Sequence, residues 1–334
     1  MEEGCAQLAT SPTLDAASQT NGSKTLEAIT PVLVNVRGAM VEVVDKAGQL
    51  LVRGTIISDD GYFLTKASEL RREGELRVTG PDGKQASARR VHEDRALDLL
   101  LAKMPVSAVI EPTWAATSKL QAGEWVVAGS ADLEGQKPGP VEARLGVISA
   151  TSRPISSRGA GLGVQMMTST KGGKNEVMLT DVAVAGPALD AGLQAGDVLL
   201  EIGGEKVSTK EEVKVVMLTL AAGQEVAVRF RRGKSERTAR VRLASLRQLA
   251  SNFEGEDYGN GGVSVRTDGF PRVLQHATPL HPQDMGGALY DLDGNAVGIN
   301  IARADRVTTF ALPMEVFWTK AQEWMRQDRE SVGK

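Results

Sequence analysis

The punctuation of the N-terminal third limits the fold more than any other feature of this chain. Met40-Val-Glu-Val-Val44, Leu50-Leu-Val-Arg-Gly-Thr-Ile-Ile57, Tyr62-Phe-Leu-Thr65, Glu75-Leu-Arg-Val-Thr79 and Ala96-Leu-Asp-Leu-Leu-Leu-Ala102 are short, largely apolar runs. Turn formers separate several of them: Lys46-Ala-Gly48, Asp59-Asp-Gly61 and Pro81-Asp-Gly83. Val34-Asn-Val-Arg37 reads as one further extended run ahead of them. Segments this short, at this spacing, predict antiparallel strands closed into a barrel or sandwich. The 36 glycines, set against 4 Trp, 3 Tyr and 6 Phe, favour tight turns over long helices.

The chain of 334 residues has room for two or three domains with separate cores. A formal net charge of −3 gives no reason to expect a nucleic-acid partner, and no run is long and apolar enough for a membrane span. One cysteine, Cys5, excludes an internal disulfide framework and a cysteine-based zinc cluster. The segment 1–27 reads as a flexible lead-in without the basic start and apolar centre of a secretory signal. Asn21-Gly22-Ser23 fits a glycosylation sequon, a tripeptide common by chance.

Further along, Glu124-Trp-Val-Val-Ala-Gly129 and Arg144-Leu-Gly-Val-Ile-Ser149 flank the loop Gly135-Gln-Lys-Pro-Gly-Pro140 and read as strands. After a linker at Ser156–Gly161 comes Leu162-Gly-Val-Gln-Met166, then Ala188-Leu-Asp-Ala-Gly-Leu-Gln-Ala-Gly-Asp-Val-Leu-Leu-Glu-Ile-Gly-Gly204. Thr209–Ala221 has the periodicity of an amphipathic helix, and a hairpin around Gly233 follows. The ordered series resembles a PDZ domain. A polar linker from Ser251 to Gly262 leads back to β-type sequence. There His281-Pro-Gln-Asp-Met-Gly-Gly-Ala-Leu289 runs on into Asp293-Gly-Asn-Ala-Val-Gly-Ile-Asn300.

That last frame resembles the nucleophile segment of the trypsin-like proteases of the HtrA/Deg family, Asn-Pro-Gly-Asn-Ser-Gly-Gly-Pro-Leu followed by Asp-Gly-x-Val-x-Gly-Ile-Asn. Gly61-Tyr-Phe-Leu-Thr-Lys-Ala-Ser68 resembles the segment of that family's general base, Gly-Tyr-Ile-Leu-Thr-Asn-Asn-His, and Ala96-Leu-Asp-Leu-Leu-Leu101 its Asp segment. The resemblance implies two six-stranded trypsin-like barrels, a mainly β fold, with an α+β PDZ domain inserted in the second. It divides the chain into a first barrel over 28–116, a second over 117–157 and 257–320, a PDZ domain over 158–246 and a C-terminal helix or tail over 321–334.

On the same correspondence Met285 falls on the nucleophile, Ser68 on the general base and Asp98 on the retained aspartate. A thioether cannot form an acyl-enzyme, and a serine cannot shuttle protons near neutral pH as imidazole does. The implied product is a pseudoprotease, no cofactor or metal entering its chemistry. Its oxyanion donors would be the N–H groups of Met285 and Gln283. The competing expectation is an active endopeptidase with a non-standard site, taking His276 or His281 as base and Ser68 or Thr278 as nucleophile. His92, His276 and His281 otherwise read as surface or loop residues, and Asp291–Asn295 as a hairpin turn rather than a calcium loop.

The PDZ resemblance implies capture of peptide or protein C-termini, or of unfolded segments, in a groove lined by Leu162, Gly163 and Val164 of the loop, Met166, and Val213, Val216 and Met217 of the helix. These side chains are apolar and suit an apolar last residue. The family resemblance further implies export to the periplasm and a homo-oligomer built through N-terminal segments.

Overall fold

The computed structural model describes residues 15–19, 22–70, 74–106, 110–131, 133–134, 137–138, 140–157, 159–183, 186–246, 249 and 262–332. Cys5, Asn21 of the sequon and the linker stretch 251–261 lie outside them. The first barrel consists of β1 (Met40–Val44), β2 (Leu50–Ile56), β3 (Tyr62–Lys66), β4 (Leu76–Thr79), β5 (Gln85–Asp94) and β6 (Leu99–Lys103), closed in the order β1-β2-β3-β6-β5-β4. The short strands and turns read from the sequence account for it: Val41, Val43, Val52, Phe63 and Leu100 point inward and are 0–1 % exposed.

The second barrel opens with β7 (Trp125–Ser130), passes the small pair β8 (Leu133–Glu134) and β9 (Lys137–Pro138), and continues with the long β10 (Glu142–Ile155). The chain then leaves for the PDZ domain: β11 (Ala160–Gly161), β12 (Val164–Lys171), β13 (Lys174–Val182), β14 (Val198–Ile202), β15 (Glu205–Lys206), β16 (Glu225–Arg232), β17 (Ser235–Arg242) and β18 (Ala244–Ser245). It returns through β19 (Phe270–His276), β20 (Ala288–Tyr290), β21 (Ala296–Asp305) and β22 (Thr308–Pro313), which close the barrel as β10-β19-β22-β21-β20-β7. Ile155 pairs directly with Phe270, so the two ends of the insertion meet across one ladder. A barrel interrupted there keeps its hydrogen bonds, which is why an inserted domain is tolerated.

The PDZ helix, Lys210–Leu218, starts at a capping box in which Thr209 and Glu212 satisfy each other's backbone N–H groups. The C-terminal helix covers Met314–Val332, beginning earlier than the boundary at 321 expected from the sequence. Phe317, Ala321, Trp324 and Met325 bury its inner face. Its far end is tied to the first barrel, because Asp328 accepts from Tyr62 Oη at 2.7 Å and from the Arg89 guanidinium. Burial and the Asp328 carboxylate push the Tyr62 phenol up to about 12. Among the described residues no helix is long and apolar enough to cross a membrane.

One expectation is corrected. Val34-Asn-Val-Arg37 is not a strand but lies in the last turns of a helix, Ser23–Gly38, which also takes in the end of the expected lead-in. Its β-branched residues have strand propensity, yet Ile29, Val32 and Val36 recur at helical spacing and are 2–3 % exposed while Val34 is 60 % exposed. The helix packs on the second barrel. Asn35 Nδ2 donates to Gly294 O at 3.0 Å, and a Cβ added at Gly129 of β7 would meet Val36 Cγ1 at 2.4 Å. Gly129→Ala therefore destabilises by about 1–3 kcal/mol through overpacking, and Val36→Ala in the same chain recovers part of that loss. Chemical denaturation of the two single variants and the double variant measures the coupling; strict additivity would contradict the packing.

Candidate functional site

The barrels meet where β3 runs out at Lys66-Ala-Ser68. Asp98 lies opposite, 4 % exposed, with a backbone φ of +59°. Ser68 N–H donates to Asp98 Oδ1 at 2.7 Å, and Ser68 Oγ–H to Oδ2 at 2.8 Å. Lys66 Nζ, from the fully buried end of β3, donates to the same Oδ2 at 2.7 Å, to Ile301 O at 2.8 Å and to Arg266 O at 3.1 Å. Its three N–H bonds are thus all used. Since Ile301 belongs to β21, the ammonium also joins the two barrels.

The structure therefore brings Ser68 and Asp98 together, as the sequence places them, and adds Lys66, which the motifs do not single out. The signal for it is a charged residue closing the otherwise uncharged run Tyr62-Phe-Leu-Thr-Lys66.

On the other side, Pro282–Asp284 forms a single 3₁₀ turn and delivers Met285 at 0 % exposure. Met285 belongs to the same buried apolar cluster as Val126, Ala128, Leu280, Leu289 and Val297. Met285 N–H donates to Pro282 O at 3.3 Å, so one of the two oxyanion donors is already taken. Met285 O accepts from Arg53 N–H at 3.1 Å. Gly286 has φ +91°, and a Cβ there would meet Arg53 O at 2.0 Å, so the turn demands glycine. Asp284 accepts from Arg53 Nε at 3.0 Å, Ser130 Oγ at 2.6 Å and His281 N–H at 2.8 Å. The guanidinium of Arg53, fully buried, also reaches Glu42 Oε1 at 2.6 Å.

None of the three histidines bonds to Asp98. His92 stacks on Trp324 with centroids 4.5 Å apart. His281 contributes its backbone N–H to Asp284. His276, expected at the surface or in a loop, instead ends β19 inside the barrel. It forms an imidazole–hydroxyl pair with Thr278, Nδ1 to Oγ1 at 2.8 Å, but the two residues are 0 and 1 % exposed. Asn300 Nδ2 donates to Gly287 O at 3.0 Å, which turns its Oδ1 toward His276 Nε2 at 2.9 Å. Nε2 then carries the proton, Nδ1 accepts from Thr278, and no carboxylate orients the ring. Burial pushes the His276 imidazole down to about 4, so it is neutral and sealed from substrate.

The PDZ domain approaches the same spot. Gly223, φ +79°, follows the PDZ helix, and a Cβ there would meet Ser68 Cβ at 2.8 Å. Arg242 of β17 donates to Ala67 O and Leu70 O. Within the domain, β12 is an edge strand, paired with β13 on one side only. Val164 and Met166 of β12 and Val216 of the PDZ helix are half-buried. Val213 and Met217, 1 and 9 % exposed, belong to the domain core, as does Leu162 at 3 %. Gly163 has φ +72°, and Leu249 lies against Gly161 and Gly163.

The chain carries a trypsin-like peptidase domain, matched over residues 53–192, and a PDZ domain, matched over 160–243. It is similar to a probable periplasmic serine endoprotease, DegP-like, of Bartonella henselae, at 22% identity over 333 residues, 77% of this chain and 65% of that protein. A protein of the same description from Chlamydia trachomatis is 34% identical over 79 residues, 23% of this chain and 16% of that one. The chain thus spans just under two thirds of the first relative's length and a small part of the second's. These matches support the HtrA/Deg resemblance read from the motifs.

Two outcomes are expected here. Lys66→Met leaves the Asp98 carboxylate buried without a cation and lowers stability by about 3–5 kcal/mol, while the Lys66→Met/Asp98→Asn pair costs less. Urea denaturation at pH 7 measures both, and a loss below about 1 kcal/mol for Lys66→Met would contradict the pairing. His276 has a folded pKa near 4 against an ordinary 6.5, so below pH 6.5 the unfolded chain takes a proton that the folded chain refuses. Stability then falls as pH drops from 6.5 to 4, by roughly 3 kcal/mol from this group. His276→Gln flattens that slope, whatever its effect at pH 7.

Proposed function

We propose that the chain is a catalytically silent, HtrA-like PDZ protein, a pseudoprotease that binds exposed C-termini or unfolded segments as an adaptor, chaperone-like binder or regulator. The observation that carries this reading is the occupation of Asp98. Its oxygens accept from Lys66 and Ser68, where a working triad needs an imidazole held for proton transfer. Met285 supports it from the other side, since its side chain has no labile proton and lies in the core. Gly223 against Ser68 further narrows the approach to the centre.

What remains able to recognise a polypeptide is the edge strand β12. Its outer side accepts an added strand, and the half-buried Val164, Met166 and Val216 offer an apolar surface to alternate side chains. A ligand with an apolar C-terminal residue suits them, the loop Leu162-Gly163-Val164 taking the carboxylate. Export to the periplasm and assembly into a homo-oligomer belong to the same proposal, the first in line with the description borne by the similar proteins.

The test is incubation of the purified chain with casein over hours, with Ser68→Ala and Met285→Ala run in parallel. We expect no cleavage above that of the two variants. Casein cleavage lost in Ser68→Ala would overturn the reading in favour of an active endopeptidase with a non-standard site. For the groove, a labelled peptide ending in a free apolar residue binds the chain. Amidation of its terminus or Val216→Asp weakens binding about tenfold or more, as measured by fluorescence anisotropy.

A further inference from the structure

Between the first barrel and the PDZ domain lies a cleft of about 110 Å³, with Ser68 on one wall and the turn holding Gln224 on the other. The charges around it are unevenly matched. Asp98 is paired with Lys66, and Glu93 lies 3.8 Å from Arg95. Glu69, close behind, accepts from Val265 N–H, and burial pushes its carboxyl toward the neutral form against the opposing effect of Lys66. Arg242 lies in the same wall, bound to the carbonyls of Ala67 and Leu70.

Arg266 is the group this arrangement leaves unexplained. It is 7 % exposed and lines the cleft. Its Nε donates to Asp268 O, Nη1 to Arg95 O, and Nη2 to Ala96 O and Gly269 O, while its face lies 4.5 Å from the Phe270 centroid. Each of these partners is neutral. Among the described residues no carboxylate comes within ion-pair distance of this guanidinium. Buried charges are ordinarily matched by an opposite charge, because carbonyl dipoles alone recover only part of the lost hydration. A polar opening of several water volumes beside such a group is where a missing counter-charge would sit.

We propose that this cleft binds a small oxyanion, a phosphate or a carboxylate, against Arg266, with Arg242 and Gln224 on the PDZ side closing over it. The bound anion compensates Arg266 and ties the inserted domain to the first barrel at the degenerate centre. The site is independent of the peptide groove, which lies along β12. Four of the five N–H groups of Arg266 are held by carbonyls, and the remaining one, on Nη1, suits an oxygen of either anion through a single charge-assisted hydrogen bond.

The test follows thermal unfolding of the full chain against sodium phosphate and, in a second arm, sodium acetate, each matched in ionic strength by sodium chloride. A ligand that binds only the folded state raises the melting temperature in a saturable way, whereas screening follows chloride. We expect saturation in at least one arm, with a midpoint weakened about tenfold in Arg266→Lys, which keeps the charge but whose three N–H donors cannot hold the surrounding carbonyls and the anion together. Saturation with phosphate alone identifies a tetrahedral anion; saturation with acetate identifies a carboxylate. Unfolding that tracks chloride in both arms, or an unchanged midpoint in Arg266→Lys, overturns the site. If Arg266→Lys does not fold, the Gln224→Ala/Arg242→Gln variant, which removes both PDZ-side groups, is judged by the same midpoint.

Discussion

Asp98 holds a carboxylate at 4 % exposure on a backbone with φ +59°, and the rest of the centre is arranged around that fact. A carboxylate removed from water must be paired, hydrogen-bonded or protonated. An imidazole would meet the need in a triad; here Lys66 supplies the cation, and Ser68 supplies two hydrogen bonds through its backbone and hydroxyl. Together they satisfy the electrostatics of the junction with no imidazole among the partners of Asp98. Because Lys66 also donates to Ile301 O, the compensating cation links β3 of one barrel to β21 of the other.

The Pro282–Asp284 turn follows the same logic on the facing barrel. Asp284 is buried and needs Arg53, Ser130 and His281 N–H; Arg53 is buried and needs Asp284 and Glu42. The pair fixes the 3₁₀ turn against β2, and Gly286 permits the approach. Met285 then falls inside the core, where a long apolar side chain is the stable choice and a lone hydroxyl would need a partner. Both sides of the centre are held by buried ion pairs.

Much of the fold is legible in the sequence because turn chemistry is local. Asp59-Asp-Gly61 and Pro81-Asp-Gly83 mark the ends of strands in the first barrel, and the Ala-Gly-Asp-Val-Leu turn marks the PDZ domain at the position the structure gives it. The N-terminal helix is hidden because Val34 and Val36 favour strands locally, and only the surface of the second barrel selects the helix. The resemblance to the HtrA/Deg motifs singles out Ser68, Asp98 and Met285. Lys66, Arg53 and Arg266 are not visible as participants: Asp98 lies 32 positions from Lys66 and Asp284 231 positions from Arg53, while Arg266 bonds to main-chain carbonyls, and neither leaves a local pattern.

The account turns on whether any hydroxyl in this chain is activated. Exposure of the folded protein to a fluorophosphonate, which reacts with activated serines, followed by intact-mass measurement, asks that directly. We predict the unmodified mass after prolonged exposure, with Ser68 Oγ–H committed to Asp98. A stoichiometric adduct mapped to Ser68 or Thr278 would contradict the account and establish a rebuilt nucleophile.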